Sequence, residues 1–101
     1  MVKAERFALY QVKALEDKQR LAVVVSPNEL NDTLNTVIVV PLLGSQTKMP
    51  FRVPIIFKGK NGEIALDKIT TIPKVDLVQK VGLLPELLVE QVIPLLAEMF
   101  S

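Results

Sequence analysis

The chain has 101 residues and a formal net charge of +1, a length that suits a single domain spanning residues 1–101 with one modest core. It contains no cysteine and no histidine, so disulfides, thiolate metal sites and histidine general bases are excluded. Any catalysis must therefore use arginine, lysine, hydroxyl or carboxyl groups. Hydrophobic residues make up 50% of the chain, which favours a homodimer that hides the surplus apolar surface.

Charge is divided unevenly along the chain. Residues 1–80 hold all 12 basic and 8 of the 11 acidic residues, a net +4, whereas residues 81–101 hold three acidic residues and no basic one, a net −3. The basic excess indicates either a surface for a polyanion or an ordinary solvated surface. The N-terminus lacks the apolar core of a secretion signal, and no apolar run approaches the roughly 20 residues of a membrane span. We therefore expect a cytoplasmic protein that does not enter a membrane.

Hydropathy predicts two strands before the first helix signal. Residues 6–13 alternate partly between apolar and polar positions, which is typical of a strand. The charged segment 14–19 predicts a short turn. Residues 20–26 are too apolar for a strand with one solvated face, so we expect a central strand that is covered on both faces.

A short helix is predicted to begin at Ser26. This residue has the preferences of an N-cap, Pro27 suits the first helical position, and Glu29 occupies the capping-box position. The helix is expected to last about one turn and to end before Asn31 and Asp32.

Two further strands are predicted on either side of a loop. Residues 36–42 are apolar on both faces, and Pro41 near their end indicates an edge or a bulge, because proline has no N–H for the ladder. Residues 44–50 predict a loop. Residues 51–58 predict the next strand, in which Pro54 again indicates an edge or a bulge.

The following segment predicts a hairpin and then a helix. Residues 59–62 (Gly-Lys-Asn-Gly) predict an Asn-Gly turn that leads back into a strand over residues 63–66. Residues 68–73 are expected to be extended. Residues 76–81 predict a short helix that is ended by Gly82.

The last predicted element is an amphipathic helix with Pro85 at its first position. At 100° per residue the polar side chains share one arc, so the opposite side should pack on the sheet. Pro94 should kink this helix on its exposed side. The apolar side consists of Leu88, Val89, Val92, Ile93, Leu95, Leu96, Met99 and Phe100, with Leu87 as the exception. The pattern as a whole predicts a small α+β fold that is mainly β.

Two pairs of side chains have both a chemical and a structural interpretation. Glu63 and Asp67 lie four residues apart on an extended segment, where they could form an acid–base pair or belong to a solvated strand face. Phe51 and Phe57 could stack on nucleobases or belong to the core, and the aromatic content of 5% favours the core.

Arg20 lies where the charged turn enters an apolar strand, a position that directs its guanidinium across the end of the sheet. Lys48, Arg52 and Lys68 would converge with it if the loops meet. The planar fork of arginine suits phosphate oxygens and the extra negative charge of a phosphoryl transition state. The alternative is a solvated strand terminus.

Segments along nearly the whole chain resemble the MazF/PemK family of toxins from toxin–antitoxin pairs. The resemblance is carried by RFALYQVK (6–13), RLAVVVSPNELND (20–32), NTVIVVPL (35–42), FRVPIIFKGKNGEIALDKITTI (51–72) and the closing EMF (98–100). It implies an SH3-like small barrel or twisted antiparallel sheet with short helices and a C-terminal helix, assembled as a homodimer. It also implies a metal-independent endoribonuclease that is specific for single-stranded mRNA, uses no cofactor, and is held inactive by a cognate antitoxin protein.

The resemblance also implies which residues form the site. In that family an arginine at a strand entry stabilises the pentavalent phosphate, and a hydroxyl in a Pro-Leu-Thr segment assists. Arg20 matches the arginine, but the segment here ends in Leu43, which can neither donate a hydrogen bond nor transfer a proton. Ser45 is the candidate replacement for the catalytic hydroxyl. The residues expected to bind RNA are Thr47, Lys48, Arg52 and Lys68.

Further departures keep other functions open. The first loop, residues 14–19, is shorter than the usual active-site flap of the family, Ala8 replaces an aspartate and Lys68 replaces a glutamine. The same superfamily includes the CcdB toxins, which poison DNA gyrase and cleave nothing. They engage gyrase through a terminal Trp-Gly-Ile, and this chain contains no tryptophan. We therefore rank an RNA-cleaving toxin first, a gyrase-poisoning or other protein-binding toxin second, and a catalytically degraded homologue that only binds antitoxin third.

Overall fold

The computed structural model describes residues 2–15 and 18–101, which form a curled antiparallel sheet with a C-terminal helix. This architecture confirms the predicted mainly β, SH3-like fold. Two short 3-10 turns, Leu66–Lys68 and Lys74–Asp76, lie on either side of the sixth strand. The regular elements are β1 (Ala8–Leu15), β2 (Lys18–Val24), α1 (Asn28–Thr33), β3 (Thr36–Leu43), β4 (Arg52–Phe57), β5 (Lys60–Ala65), β6 (Thr70–Pro73), β7 (Leu77–Leu83) and α2 (Glu86–Met99).

The strand order is β4-β5-β3-β2-β1-β7, and β6 also pairs with β3. Strand β3 changes partners along its length. Its first half pairs with β6 up to Val39, whereas Leu42 and Leu43 pair with β5. Its pairing with β2 ends at Pro41, which lies opposite Ala22. The sheet therefore opens where β3 leaves β2, and this opening positions the site described below.

Two hydrophobic clusters cover the two faces of the sheet. Alternate residues of β2 belong to different clusters, since Ala22 and Val24 pack on one face and Val23 on the other. The prediction of a central strand covered on both faces is therefore confirmed. Helix α2 covers the second face with its buried Val92. The first cluster contains Tyr10, Val12, Val37, Val39, Ile72 and Leu77, and the second contains Leu9, Val40, Val53, Ile55, Ile64 and Leu66.

The apolar side of α2 is narrower than predicted. Ile93 and Phe100, which the spacing assigned to the packed side, are exposed, and Leu87 is exposed as well. Pro94 lies inside the helix on its exposed side, as expected.

The predicted helix over residues 76–81 is wrong. Asp76 ends the second 3-10 turn, and residues 77–81 are part of β7, which pairs with β1 and places Gln79 opposite Gln11. Leu77 is buried in the first cluster, whereas the next three residues are exposed on this edge strand. The edge position leaves the segment without a clear alternating pattern, so the sequence alone did not reveal a strand.

The predicted N-cap role of Ser26 is also wrong. Helix α1 begins at Asn28 after Pro27, and no side chain caps it. The Ser26 hydroxyl is buried, donates to Asn31 Oδ1 at 2.5 Å and accepts from the Ile38 amide at 3.1 Å. Asn31 remains inside the helix because its side-chain Nδ2 donates to the Ser26 carbonyl at 2.9 Å. The pair fastens α1 to β3, which explains why the helix does not end before Asn31.

The positions of the two prolines in the sheet and the position of the hairpin turn were predicted only in part. Pro54 lies on the edge strand β4, as expected. Pro41 lies on an internal strand, at the point where β3 changes its partner from β6 to β5, and its printed pairing is with Ala22 of β2. The hairpin between β4 and β5 is confirmed, although its turn consists of Lys58 and Gly59. Both have positive φ angles, +50° and +77°, as a two-residue type I′ turn requires. Residues 61 and 62 belong to β5 and pair with Ile56 and Ile55 of β4.

The predicted turn over residues 14–19 is only partly described. Strand β1 extends into it as far as Leu15, and β2 begins at Lys18. Residues 16 and 17 lie outside the described residues.

Candidate active site

A cavity of about 240 Å³ lies at the opening between β2, the end of β3 and the β4–β5 hairpin. Arg20 and Leu21 line it from β2, and Leu43 lines it from β3. Because Ala22 lies opposite Pro41, the same register carried two residues further would place Arg20 opposite Leu43. The arginine and the leucine at the threonine position therefore line the same cavity.

The hairpin completes this cavity through a close backbone contact. Gly62 is buried and pairs with Ile55. A Cβ atom at Gly62 would lie 2.7 Å from the carbonyl oxygen of Leu43. Only glycine lets β5 approach β3 this closely without displacing the backbone.

A second cavity of about 350 Å³ also contains Arg20 in its lining. Gln11 lines it from β1, and Phe57, Lys58 and Lys60 line it from the hairpin. Three cationic residues thus surround this end of the sheet. The two lysines were not among the predicted site residues, although the basic turn of the predicted hairpin was the signal that could have identified them.

The predicted hydroxyl residues meet at a different side chain, the carboxylate of Glu63. Its side chain is 1% exposed. The Ser45 hydroxyl donates to Oε2 at 3.0 Å, while the Thr47 amide and hydroxyl donate to Oε1 at 2.9 and 3.1 Å. The Arg52 guanidinium donates to Oε2 at 2.7 Å. Glu63 therefore accepts hydrogen bonds from the loop after β3 and from β4.

Arg52 joins this carboxylate to a second one. Its Nε and Nη2 atoms donate to the two oxygens of Asp67, at 2.5 and 3.0 Å. The Arg52 side chain is 7% exposed. Glu63 and Asp67 thus form neither the acid–base pair nor the solvated strand face that the spacing suggested, because Glu63 is buried and both carboxylates accept hydrogen bonds from Arg52.

The hydrogen bonds shift the pKa values of all three groups. The Thr47 amide, with Arg52, Ser45 and the Thr47 hydroxyl, lowers the pKa of Glu63 despite its burial. The hydrogen bonds from Arg52 lower the pKa of Asp67, and the two carboxylates raise the pKa of Arg52. Glu63 and Asp67 are therefore carboxylates at neutral pH.

Acid should destabilise the fold through this network. The ordinary pKa values of Glu63 and Asp67 are 4.5 and 3.8, and both are lowered in the folded state. Their stabilisation is therefore present above these values and is lost as the pH falls through the lower, folded pKa values. We expect Glu63→Gln to have a lower unfolding temperature than the parent at pH 7, and the gap to narrow towards about pH 3. Thermal unfolding of both proteins from pH 7 to pH 3 measures this, and a gap of constant size would contradict it.

The structure thus separates the predicted site residues into three groups. Arg20 lines the two cavities. Ser45, Thr47 and Arg52 come together at Glu63. Lys48 lies in the loop after β3 with a φ of +59°, Lys68 lies on the first 3-10 turn, and both are exposed. Neither of these two lysines belongs to the lining of the two cavities described above.

The two phenylalanines that could have stacked on nucleobases belong to the core. Phe51 and Phe57 are partly buried and pack against the second hydrophobic cluster, which agrees with the core interpretation.

Among residues 2–15 and 18–101, no group of three or more acidic side chains is placed to hold a metal ion. In the same described residues no helix has the length and apolar character needed to cross a membrane.

Comparisons with known proteins agree with this fold. A family model described as PemK-like, MazF-like toxin of type II toxin–antitoxin systems matches residues 6–100. A MazE–MazF complex from Deinococcus radiodurans superposes with a TM-score of 0.85 at 16% identity, covering 100% of this chain and 98% of that chain. An endoribonuclease in complex with its cognate antitoxin, from a mycobacterial species, gives 0.84 at 22% identity, with coverages of 94% and 92%.

A third solved structure has the same fold, whereas curated protein sequences give no match. Mycobacterium tuberculosis toxin MazF-mt6 superposes with a TM-score of 0.81 at 19% identity, covering 92% of this chain and 95% of that chain. At these identities the superpositions establish a shared fold.

Proposed function

Because the chain belongs to the PemK-like, MazF-like toxins of type II toxin–antitoxin systems, we propose that it cleaves single-stranded mRNA without a metal or cofactor. The family assignment confirms the resemblance inferred from the sequence segments. One structural relative is itself an endoribonuclease bound to its antitoxin. An mRNA substrate implies that the protein acts in the cytoplasm.

The observation that carries this proposal is the position of Arg20. It lines both cavities at the opening of the sheet, and Lys58 and Lys60 line the second cavity with it. An RNA strand that crosses this opening would place a phosphate beside the arginine and neighbouring phosphates beside the lysines. Lysines that neutralise phosphates give sequence-independent affinity, and the fork of arginine fits two oxygens of one phosphate.

In the proposed reaction the RNA supplies its own nucleophile. The 2′-hydroxyl of one nucleotide attacks the adjacent phosphorus, the O2′–P bond forms, and the P–O5′ bond breaks. The 2′-hydroxyl loses a proton and the leaving 5′-oxygen gains one. Arg20 stabilises the additional negative charge on the phosphate oxygens during this step.

The structure bears on the other proposed residues through their contacts. The Ser45 hydroxyl donates its hydrogen to Glu63, so towards RNA it can act only as a hydrogen-bond acceptor. Arg52 is held between two carboxylates, and the proposal therefore gives the phosphate contacts to Lys58 and Lys60. The assignments of Ser45 to catalysis and of Thr47, Lys48, Arg52 and Lys68 to RNA binding stay predictions.

Incubation with a long unstructured RNA in EDTA tests the proposal. The parent should produce discrete fragments, and Arg20→Ala should not produce them at a comparable rate. Lys3→Ala removes an exposed positive charge that lines neither cavity and serves as the matched control. Intact RNA with a folded parent would sink the proposal.

That outcome would favour the second candidate, a gyrase-poisoning or purely protein-binding toxin. The observation that favours this candidate is Leu43, an apolar residue in the cavity where the family resemblance implies a hydroxyl. An assay of DNA supercoiling by gyrase, with and without the protein, would then decide between poisoning and binding alone.

The proposed toxin should be a homodimer. An apolar groove lined by Pro54, Ile56 and Leu88 lies between β4 and α2, and Ile56 is 70% exposed. A second copy of the chain would bury this surface. We expect sedimentation equilibrium to show a dimer at micromolar concentration and Ile56→Glu to weaken it about tenfold or more, since a charge in an apolar interface is costly.

A second exposed aliphatic residue, Val75, provides the control for the dimer. Val75 is similarly exposed but belongs to a separate apolar patch with Val2 and Val78. Val75→Glu should leave the association unchanged. A monomeric parent would refute the dimer, and dissociation by Val75→Glu alone would move the interface to the other patch.

We propose that a cognate antitoxin silences this dimer. Two structural relatives were solved in complex with an antitoxin. An acidic and partly apolar segment of the antitoxin, extended or helical, would lie over the basic loops and along the groove that forms between the two copies in the dimer. It would compete with RNA for Lys58 and Lys60.

A further inference from the structure

Glu63 lies on the same side of the sheet as Arg20, one strand beyond Leu43. Leu43 and Glu63 are directly paired residues of β3 and β5, so their side chains share a face. Alternation along β3 and β2 places Pro41, Ala22 and Arg20 on that face as well. The buried Glu63 carboxylate therefore neighbours, on the same face of the sheet, the Leu43 position that lines the cavity of the proposed chemistry.

The donors to Glu63 come largely from the loop that follows Leu43. Ser45 contributes its hydroxyl, and Thr47 contributes both its amide and its hydroxyl. Gln46, between them, donates from its side chain to the Gly62 carbonyl at 3.2 Å. Three consecutive loop residues are thus fastened to β5, directly after the residues that line the Arg20 cavity.

The bonding of Glu63 argues against a role in proton transfer. Its two oxygens accept from four donors, and the hydrogen bonds keep it ionised at neutral pH. A buried ion pair is also a poor way to gain stability, because apolar residues of similar volume are often as stabilising. The role of the buried Glu63 carboxylate is better explained by its hydrogen bonds, which fix the position of the loop after Leu43.

We propose that Glu63 is a positioning residue for RNA cleavage, which holds residues 45–47 and thereby fixes the preceding Leu43 and Gly44, two residues in the wall of the Arg20 cavity. This inference rests on the proposed function. A preorganised wall keeps the phosphate within reach of Arg20, and small displacements of such a wall are costly to the rate. Glu63 itself touches neither the RNA nor the reacting atoms.

Steady-state cleavage by variants of the full chain tests the inference. Glu63→Gln keeps the size of the side chain but removes the charge that accepts from the loop. We expect its kcat to fall roughly 10- to 100-fold, as for a misplaced reacting group, while KM stays within about threefold. Asp67→Asn is the matched control, because it breaks the outer pair of Arg52 and leaves the loop bonded to Glu63. Its kcat should stay within about threefold of the parent.

Variants of the loop test the same contact from the other side. Thr47→Val keeps the shape of the side chain and removes its hydroxyl donor, whereas Thr47→Ser keeps the donor. We expect Thr47→Val to lower kcat and Thr47→Ser to lie closer to the parent. The double variant Glu63→Gln/Thr47→Val should lose less than the product of the single effects, because both act through one contact. These loop variants also stand in for Glu63→Gln if that protein does not fold.

A measurement that is independent of activity separates this inference from the proposed function. The Thr47 amide donates to Glu63, so its hydrogen exchange should be slow in the parent and at least tenfold faster in Glu63→Gln, where a neutral amide oxygen accepts more weakly. If the parent does not cleave RNA, the proposed function fails, and the amide still reports whether Glu63 holds the loop. Unchanged exchange, or a Glu63→Gln enzyme with the kcat of the parent, would overturn the inference.

Discussion

Replacing Arg20 by alanine is expected to slow RNA cleavage about 100-fold or more, the loss that follows removal of one oxyanion donor. The expectation rests on the position of Arg20 in the lining of both cavities, beside the place where β3 leaves β2. A methyl group cannot donate to the phosphate oxygens, and Leu43 on the neighbouring strand offers no substitute.

Arg20→Lys separates charge from geometry. It keeps the positive charge but loses the planar fork, so its rate should lie between those of the parent and Arg20→Ala. Single-turnover cleavage, with the exposed-lysine variant Lys3→Ala as the reference, measures all three rates. If Arg20→Ala cleaves as fast as Lys3→Ala, the mechanism is wrong.

Replacing Leu66 by alanine is expected to lower the free energy of unfolding by about 2–5 kcal/mol. Leu66 follows β5 directly, is fully buried, and belongs to the cluster that α2 covers. Truncation removes apolar contacts and leaves a cavity in a cluster whose neighbours come from several strands and a helix, so the site cannot collapse fully. For a protein of this size such a loss is a large part of the total stability.

Leu83→Ala is the control for this effect. Leu83 lies at the end of β7 and is 60% exposed, so its truncation should change the free energy of unfolding by no more than about 0.5 kcal/mol. Urea unfolding of the three proteins at one protein concentration gives the comparison. Equal midpoints for Leu66→Ala and Leu83→Ala would show that the cluster does not carry the fold.

Much of the fold followed from the sequence because it depends on local patterns. The strands over residues 6–13, 20–26 and 36–42 are long apolar or alternating runs, and each is present with shifted ends. The hairpin followed from its glycine-rich basic turn, and the last helix followed from its spacing. The family was identified from segments of the chain. The charged segment before Arg20 placed this arginine at the entry of a strand, and the structure has it as the third residue of β2.

The tertiary structure alone decided what depends on distant partners. Residues 77–81 carry no strand signal of their own and form a strand because they pair with β1. Ser26 looks like a helix cap and is instead buried between Asn31 and the Ile38 amide.

The composition of the site likewise depends on residues that are distant in the sequence. Nothing near Glu63 in the sequence shows that it is buried, because its donors lie on a loop 16–18 residues earlier and on Arg52, 11 residues earlier. The approach of Lys58 and Lys60 to Arg20 depends on where the hairpin comes to rest against β2 and β3. Local hydropathy determined the elements of this protein, and the long-range pairing of β3 with β5 determined which side chains share its site.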